Sequence, residues 1–270
     1  MILTVNHVTH YRYDAPMRSA VQSLRLFPTR FAGQRVLDWK VEIPGGTRGG
    51  AFRDGAGDRV EGWSVRGPVT ALAVSVTGTV ETEDTAGVLR GHRETVPPMV
   101  YLRDTPATEP DMAIRDLAAG AVAGASDDLD RAHRLASAVR AAVAYRPGVT
   151  HAHTSAAEAL ELREGVCQDH AQVLIAAARS LDLPARYVSG YLYAAEDGTP
   201  HEAAHAWAEI HVPDLGWIGF DAANGCCPNE LYVRLGSGYD AADAAPIRGI
   251  ALGAGRESLD VTVALEATQQ

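Results

Sequence analysis

Three residues of this chain, a cysteine, a histidine and an aspartate in that order, are of the types that carry out acyl transfer on a thiol. Cys167 lies where an apolar helix is expected to begin, His205 lies in a strand-like segment, and Asp221 ends the next such segment. A thiol is a poor nucleophile until it loses its proton, and a helix N-terminus with an adjacent imidazole lowers a thiol pKa to roughly 3.5–7.5. The aspartate would hold the imidazole in one tautomer and stabilise its charged form. The three residues predict covalent catalysis by a thiol and leave the substrate open.

The helix expected to start near Cys167 would also supply hydrogen-bond donors. The first backbone N–H groups of a helix have no partners within it, and together with the helix dipole they favour an anion. The same groups can form half of an oxyanion hole. Taken alone, a free cysteine is more often a buried apolar residue than a nucleophile. The prediction therefore depends on the three residues together.

The segment that carries His205 alternates in the manner of a β-strand. One face is apolar, and the other carries polar and aromatic side chains, namely His205, Trp207, Glu209 and His211. We expect the apolar face to point into the core and the other face to line a cleft. A three-residue hairpin loop at 213–215 would place Asp221 opposite Trp207, diagonal to His205 and within side-chain reach. The spacing is therefore compatible with a Cys–His–Asp triad.

Residues 1 to about 90 are typical of strands and turns. The β-branched segments, bounded by glycine-rich turns, are at 2–13, 36–43, 59–65 and 69–80. They predict an antiparallel sandwich or barrel. The prolines of residues 91–110 predict a linker. We expect a β-rich N-terminal domain over 1–95 and a catalytic domain over 96–270, whose last strand, at about 258–266, can pack back on the first domain.

Helices dominate after the proline-rich segment. Helical spacing of apolar residues predicts helices over 111–119 and 127–145. Ser155 and Glu158 form a capping box, and the helix that they open is expected to end at Gly165. The next helix begins at about Val166 and stops before Pro184. The period then changes to two, which predicts strands at 187–193, 204–212, 217–221 and 261–265.

The composition is that of an ordinary globular protein, with 270 residues, 46% hydrophobic and 21% charged. The formal charge of −10 argues against a nucleic-acid or anionic-membrane partner. No apolar run of about 18 residues predicts a membrane span, and the first residues do not resemble a signal peptide. Three cysteines, two of them adjacent at Cys226 and Cys227, do not suggest a disulfide framework. We therefore expect a cytoplasmic protein.

Several segments of the chain resemble the bacterial transglutaminase-like family. Those in the second half are Gly165-Val166-Cys167-Gln168-Asp169, residues 184–191, His205-Ala206-Trp207-Ala208-Glu209 and residues 216–221. The start, residues 10–14 through 24–28, is similar to the β-rich N-terminal region often attached to that core. The resemblance implies an α+β, papain-like core, with the helix bearing the nucleophile packed on an antiparallel sheet, after an all-β sandwich-like N-terminal domain. It also implies Cys167 as nucleophile, His205 as base and Asp221 as orienter, acting on an amide carbonyl through a thioester.

The chain departs from the family pattern at a few positions. Ala222-Ala223 stands where the family usually has Pro-Thr, and His170 replaces a common aromatic residue. Animal transglutaminases have a tryptophan upstream of the cysteine as an oxyanion donor, and this chain has none between Trp63 and Trp207. The hydroxyl of Tyr145 or the side chain of Gln168 could substitute, and Trp207 could wall a substrate groove.

The sequence leaves several functions open. The thioester could pass to an amine, as in a transglutaminase, or to water, as in a cysteine peptidase or amidase that cleaves peptide or isopeptide bonds. A non-catalytic peptide-binding module with a retained fold is an alternative from another class, and acyl transfer from coenzyme A ranks lower.

We expect a peptide or protein substrate, and the oligomeric state is left open. We expect no cofactor and no metal, since no paired-ligand spacing supports zinc and the acidic residues at 127–130 fit a helix start better than a calcium loop. The loop at 194–203 could gate the cleft.

Overall fold

The computed structural model of the chain describes residues 1–193 and 204–268. Its strands are β1 (Ile2–Leu24), β2 (Gln34–Glu42), β3 (Thr47–Arg53), β4 (Arg59–Thr82), β5 (Ala144–Tyr145), β6 (Glu164–Gly165), β7 (Ala185–Leu192), β8 (Ala204–Val212), β9 (Gly216–Phe220), β10 (Tyr232–Gly238), β11 (Ile247–Leu252) and β12 (Glu257–Thr268). Its α-helices are α1 (Met112–Ala121), α2 (Asp128–Ala142), α3 (Ala156–Leu162) and α4 (Cys167–Arg179), and a 3₁₀ helix covers Pro98–Leu102.

The N-terminal region is one antiparallel sheet built on two long strands, β1 and β4, which pair along most of their length. The register between them shifts between Arg12 and Ser19. On one side of this shift β12 and β2 flank the long strands, and on the other side β11 and β3 do. Inward-facing residues of both halves, such as Leu3, Leu24 and Val74, belong to one hydrophobic core. The two half-sheets therefore form the expected sandwich-like arrangement around a shared interior.

The end of the chain returns to this first sheet. Strand β12 pairs with β1 from Tyr13↔Glu257 to Ile2↔Thr268, and β11 pairs with its second half. The two strands expected at 59–65 and 69–80 are one continuous strand, β4, while β3 and β11 have no counterpart in the prediction. All seven residues of β3 are exposed, so the strand lacks the alternation of buried and exposed positions by which a strand is recognised.

The second sheet is antiparallel with the order β10-β7-β8-β9, and α4 packs against β8 and β7. The core between them is made of small and aliphatic side chains, among them Leu174, Ala208 and Ile210. Residues 87–89 cover the edge of β9, where the Gly219 N–H donates to the Gly87 carbonyl at 2.9 Å and the Leu89 N–H to the Trp217 carbonyl at 2.9 Å. The resulting α+β arrangement, with the cysteine helix on an antiparallel sheet, is the papain-like fold that the family resemblance implies. Within the described residues, no helix is both long and apolar enough to cross a membrane.

Of three local predictions from the sequence, the capping box is confirmed, while the end of its helix and the linker differ from the structure. The capping box is confirmed, because the Glu158 N–H donates to Ser155 Oγ at 3.3 Å and the Ser155 N–H to Glu158 Oε2 at 2.8 Å. The prediction that Gly165 ends this helix is wrong: α3 ends at Leu162, and Arg163 adopts the left-handed conformation, with φ of 56°. The linker predicted at 91–110 is also wrong in part. It contains the 3₁₀ helix, in which Tyr101 is buried with its ring 5.3 Å from that of Trp217 in the second sheet.

Candidate active site

Cys167 is the first residue of α4, and the carboxylate of Asp169, two residues further along, fixes the start of this helix. The Val166 N–H donates to Asp169 Oδ2 at 2.8 Å, and the Thr150 hydroxyl donates to the same oxygen at 2.7 Å. Asp169 is fully buried. The chain thus turns sharply into α4 around a buried acidic side chain. The N–H groups of Cys167 and Gln168 belong to the first turn, where a helix leaves its donors free for other partners.

Gly165 has a steric reason to be glycine. A Cβ atom at this position would lie 2.7 Å from both Cβ and Oδ2 of Asp169, which is closer than real contacts allow. The residue lies in β6, which pairs in parallel with β5, and its carbonyl accepts from the Arg146 N–H at 2.7 Å. The glycine before the cysteine therefore makes room for the carboxylate that orders the helix start, instead of ending the preceding helix.

His205 and Asp221 are joined by a short hydrogen bond, with 2.6 Å between His205 Nε2 and Asp221 Oδ2. The hairpin between β8 and β9 has the three-residue loop that the sequence predicts, with Val212 opposite Gly216 and Ala208 opposite Phe220. Extending this register by one pair sets Asp221 opposite Trp207. The side chains of His205 and Asp221 are only 8% and 1% exposed, so the pair is shielded from bulk water.

The ring of His205 interacts with Cys167 as well as with Asp221. Burial lowers the pKa of His205, but hydrogen bonds to Asp221 and Cys167 outweigh burial and raise it to about 9. Because Nε2 is bonded to Asp221, Nδ1 is the ring nitrogen left for the thiol. Burial raises the pKa of Asp221, but its hydrogen bond to His205 and those from Asn224 and Tyr232 outweigh burial, so the pKa lies below its ordinary value. At neutral pH the arrangement favours a charged imidazole between an ionised carboxylate and the sulfur.

Two further residues hold the Asp221 carboxylate, and sequence reasoning missed this role for both. The Asn224 N–H donates to Oδ1 at 3.1 Å and its side-chain amide donates to Oδ2 at 2.7 Å. The Tyr232 hydroxyl donates to Oδ2 at 2.8 Å. An asparagine three residues after an aspartate is a usable signal for such a turn. Tyr232 gave no signal, since the prediction did not include β10.

The other site candidates lie at different places around the cysteine helix. Trp207 is buried beside His205, with ring centroids 6.4 Å apart and planes at 28°. The Gln168 amide donates to the carbonyl of Ala152 at 3.3 Å. Tyr145 is exposed, and its ring lies 6.2 Å from that of His170. The structure therefore brings Trp207 directly to the His–Asp pair and sets Gln168 next to Cys167 in the first turn of α4.

Cys226 and Cys227 lie just beyond Asp221, and all three thiols of the chain are free. Cys226 Sγ is 3.3 Å from the Tyr232 hydroxyl. Burial raises the pKa of Cys226, and burial with the nearby Cys226 and Asp84 raises that of Cys227 to about 11. Across 1–193 and 204–268, no group of three or more histidine, cysteine or acidic side chains is placed to hold a metal ion. The segment 194–203, considered above as a gate, lies outside the described residues, and so does His201, which by residue type could bind zinc.

The expectation that the polar face of β8 lines a cleft is wrong beyond Trp207. Glu209 is buried and accepts from Arg186 Nε at 2.7 Å and from Arg234 Nε at 2.7 Å. Arg234 also donates to Asp58 Oδ1 at 2.9 Å, and Arg186 to Glu94 Oε2 at 2.6 Å. We call these five side chains the arginine network. They fill the space between the second sheet and the N-terminal region, so this part of the face is interior.

Comparison with known proteins supports the class that this fold and site define. The transglutaminase-like superfamily model matches residues 115–222, and the model of the bacterial transglutaminase-like N-terminal region matches residues 3–81. A helix-borne cysteine on an antiparallel sheet with a strand-borne histidine is the papain-like core of that class. The chain belongs to the bacterial transglutaminase-like family.

The alignments with similar proteins cover almost the whole chain. An uncharacterised protein of Mycobacterium leprae is 31% identical over 286 residues, covering 97% of this chain and 97% of that protein. An uncharacterised protein of Mycobacterium tuberculosis is 32% identical over 273 residues, covering 91% of this chain and 86% of the relative. A solved structure of a candidate cysteine protease from Cytophaga hutchinsonii aligns with a TM-score of 0.76 at 24% identity, covering 100% of this chain and 92% of that one. The structural likeness is a likeness of fold.

Proposed function

We propose that this protein is a thiol-dependent enzyme that attacks a glutamine or peptide-type amide and forms a thioester on Cys167. The observation that carries the proposal is the 2.6 Å bond from His205 Nε2 to Asp221 Oδ2, made by a ring that also interacts with the cysteine at the start of α4. These are the roles of orienter, base and nucleophile in a triad. The acyl group then passes to an amine, as in a transglutaminase, or to water, as in a peptidase or amidase.

In the first half of the reaction, His205 takes the thiol proton and the Cys167 thiolate attacks the amide carbonyl carbon. The negative charge moves to the carbonyl oxygen, where N–H donors of the first turn of α4 can stabilise it. The C–N bond then breaks, and His205 gives its proton to the departing amine. Asp221 keeps the imidazole oriented through both transfers and stabilises its charged form between them. The product of this half is a thioester on Cys167 and a free amine.

In the second half, an amine or a water molecule attacks the thioester while His205 removes its proton. The C–S bond breaks, and the thiol is restored with an amide or a carboxylic acid as product. We assign Trp207 to the cleft wall because it lies against His205. Gln168 and Tyr145 are the candidates for a second oxyanion donor. The substrate that we propose is a peptide or protein, and not a nucleic acid or a membrane, in keeping with the formal charge of −10. Three free thiols favour a reducing compartment such as the cytoplasm.

Alkylation of the thiol tests the activated pair without a substrate. We expect iodoacetamide to modify Cys167 rapidly at pH 7, and the rate to fall by about 10²-fold or more in His205→Ala, since a positioned base contributes about that much. His211→Ala is the matched control because His211 lies on the same strand, against Trp217, and does not contact the site. Peptide mapping separates Cys167 from Cys226 and Cys227. Slow alkylation of Cys167 in the wild type, unchanged by His205→Ala, would exclude an activated thiol.

The fate of the acyl group is read by mass spectrometry. Incubation with a library of glutamine-containing peptides should leave an acyl adduct on Cys167 that is absent from Cys167→Ala. Addition of a primary amine then distinguishes the reactions: an amine-linked product indicates transfer, and a carboxylic acid alone indicates hydrolysis. A protein that binds library peptides equally well with and without Cys167, and never forms the adduct, would be a binding module that retained the fold.

A further inference from the structure

One oxygen of the Asp221 carboxylate receives three donors. His205 Nε2 lies at 2.6 Å, the side-chain amide of Asn224 at 2.7 Å and the Tyr232 hydroxyl at 2.8 Å from Oδ2. The other oxygen receives the Asn224 N–H at 3.1 Å. A carboxylate oxygen has about two lone-pair sites, so three donors on Oδ2 compete for its charge. The histidine thus shares its carboxylate oxygen with two neutral donors.

The direction of the Tyr232 bond follows from its two neighbours. An ionised carboxylate only accepts, so the hydroxyl proton of Tyr232 points to Asp221. Cys226 Sγ lies 3.3 Å from the same hydroxyl and therefore donates its S–H to the tyrosine oxygen. The ring of Tyr232 contacts Trp207 edge-on, with centroids 5.5 Å apart. The tyrosine is thereby locked with its hydroxyl dipole aimed at the charge that stabilises the imidazolium.

We propose that Tyr232 is a positioning residue that competes with His205 for Asp221 Oδ2 and so limits how strongly Asp221 holds the imidazolium proton. The inference rests on the proposed function, in which this proton must be given to the departing amine. A proton held too tightly is a poor general acid. Asn224 anchors the carboxylate at both oxygens, so removing the tyrosine hydroxyl would leave Asp221 in place and remove one donor that competes for it. The effect of Tyr232 is thus electrostatic and acts through Asp221.

Apart from Cys226, which loses its bond to the tyrosine oxygen, the ionisable groups around the pair are not altered by this change. Arg140 of α2 donates to the Asn224 carbonyl at 2.9 Å, and its charge lowers the pKa of Cys226 against the larger effect of burial. Cys167 of α4 faces His205, and Tyr187 of β7 lies close enough to Cys167 for its own pKa to be raised by it, after burial. These groups keep their positions in Tyr232→Phe, because phenylalanine fills the same space.

The test is the titration of His205 in the wild type and in Tyr232→Phe. NMR of the His205 ring, in protein with labelled histidine, should place the wild-type pKa at about 9. We expect Tyr232→Phe to raise it by about 0.5–1 unit, because hydrogen bonds to charged groups are among the stronger ones and only part of the effect of this bond reaches the histidine. A second readout is alkylation by iodoacetate, an anion that is attracted by the imidazolium: the pH at which its rate falls relative to iodoacetamide should move up by the same amount.

Matched variants separate this effect from a general loss of structure. Tyr191→Phe removes a buried tyrosine hydroxyl of the same sheet, bonded to His7 Nδ1 at 2.7 Å, and should leave the His205 titration unchanged. Cys226→Ala tests whether the thiol alone has the effect, and we expect no shift. An unchanged or lowered His205 pKa in Tyr232→Phe would overturn the inference. Failure of the proposed function is a different result, namely a wild type without rapid alkylation of Cys167, and the NMR titration does not depend on it.

Discussion

Strand β8 carries two clusters of charge on the same face, four residues apart, and they are held in different ways. Glu209 lies between Arg186 and Arg234, and all three side chains are at most 4% exposed. His205 lies between Asp221 and Cys167 and is 8% exposed. Burial raises the pKa of Glu209, but the two arginines outweigh it and hold the pKa at about 2. The arginine network therefore keeps its charges over the pH range in which His205 changes its own.

The difference lies in the cation that each carboxylate faces. A guanidinium does not give up its proton in proteins, so Glu209 is part of a fixed structure that links the second sheet to Asp58 in the N-terminal region. An imidazole exchanges its proton near neutral pH, so Asp221 supports a group that can take a proton and return it. One strand thus carries a cluster whose charges are permanent and a cluster whose charge titrates. The type of cation that pairs with each carboxylate, more than burial, decides which cluster is structural and which can transfer protons.

The largest effect is expected from breaking the arginine network. Glu209→Ala leaves two arginines buried without their shared counter-charge, and we expect it to lower the free energy of unfolding by about 3–5 kcal/mol. Urea denaturation followed by fluorescence measures this. Glu42→Ala is the control, because Glu42 pairs with Lys40 at the surface, where such pairs contribute about 0–1 kcal/mol. Equal losses in the two variants would mean that the network has no structural role.

The second largest effect is expected from a change of pH, which alters the charge of His205 but not that of the arginine network. The folded-state pKa of His205, about 9, is above its ordinary value of 6.5. Its stabilising contribution is therefore complete below about pH 6.5 and lost as the pH rises through 9, a change of roughly 2–4 kcal/mol. Unfolding free energies at pH 6 and pH 10, compared between the wild type and His205→Gln, isolate this contribution. A difference between the two proteins that is constant with pH would show that His205 does not titrate in this way.

The smallest effect is expected from the glycine next to the nucleophile. Gly165→Ala pushes a methyl group against Asp169, and we expect a loss of about 1–3 kcal/mol in stability together with slower alkylation of Cys167. Gly120→Ala in α1 is the control, because a Cβ there meets nothing within 4 Å and should stabilise the helix by about 0.5–1 kcal/mol. Normal Cys167 reactivity in Gly165→Ala would show that the order of the helix start does not matter for the thiol.

The sequence predicts the parts of the site that depend on local spacing. The alternation of β8 and its three-residue loop predict how His205 meets Asp221, because register follows from loop length. The helix start at Cys167 is predicted because the apolar period begins there. Ser155 and Glu158 predict the start of α3, because the two residues of a capping box lie within one turn of each other.

The sequence does not predict contacts between charged residues far apart in the chain. Arg234 and Asp58 are separated by 176 positions, and charged residues are usually exposed unless paired, so neither signals its burial. Strand β10 contains two glycines and an arginine, so the sequence does not predict it, and the link from Tyr232 to Asp221 is not predicted either. The prolines at 91–110 predict a linker, but the ion pair of Glu94 with Arg186 cannot be seen in the sequence.

The short segment at 87–89 that borders β9 has a practical consequence. It lies between the residues matched by the two family models, 3–81 and 115–222, yet it supplies main-chain partners to the strand that leads to Asp221. A gene fragment cut at the family boundary would leave an open sheet edge, which invites self-association. A fusion or recombinant of this protein with other members of its family therefore has to keep residues 87–89 together with the second half of the chain.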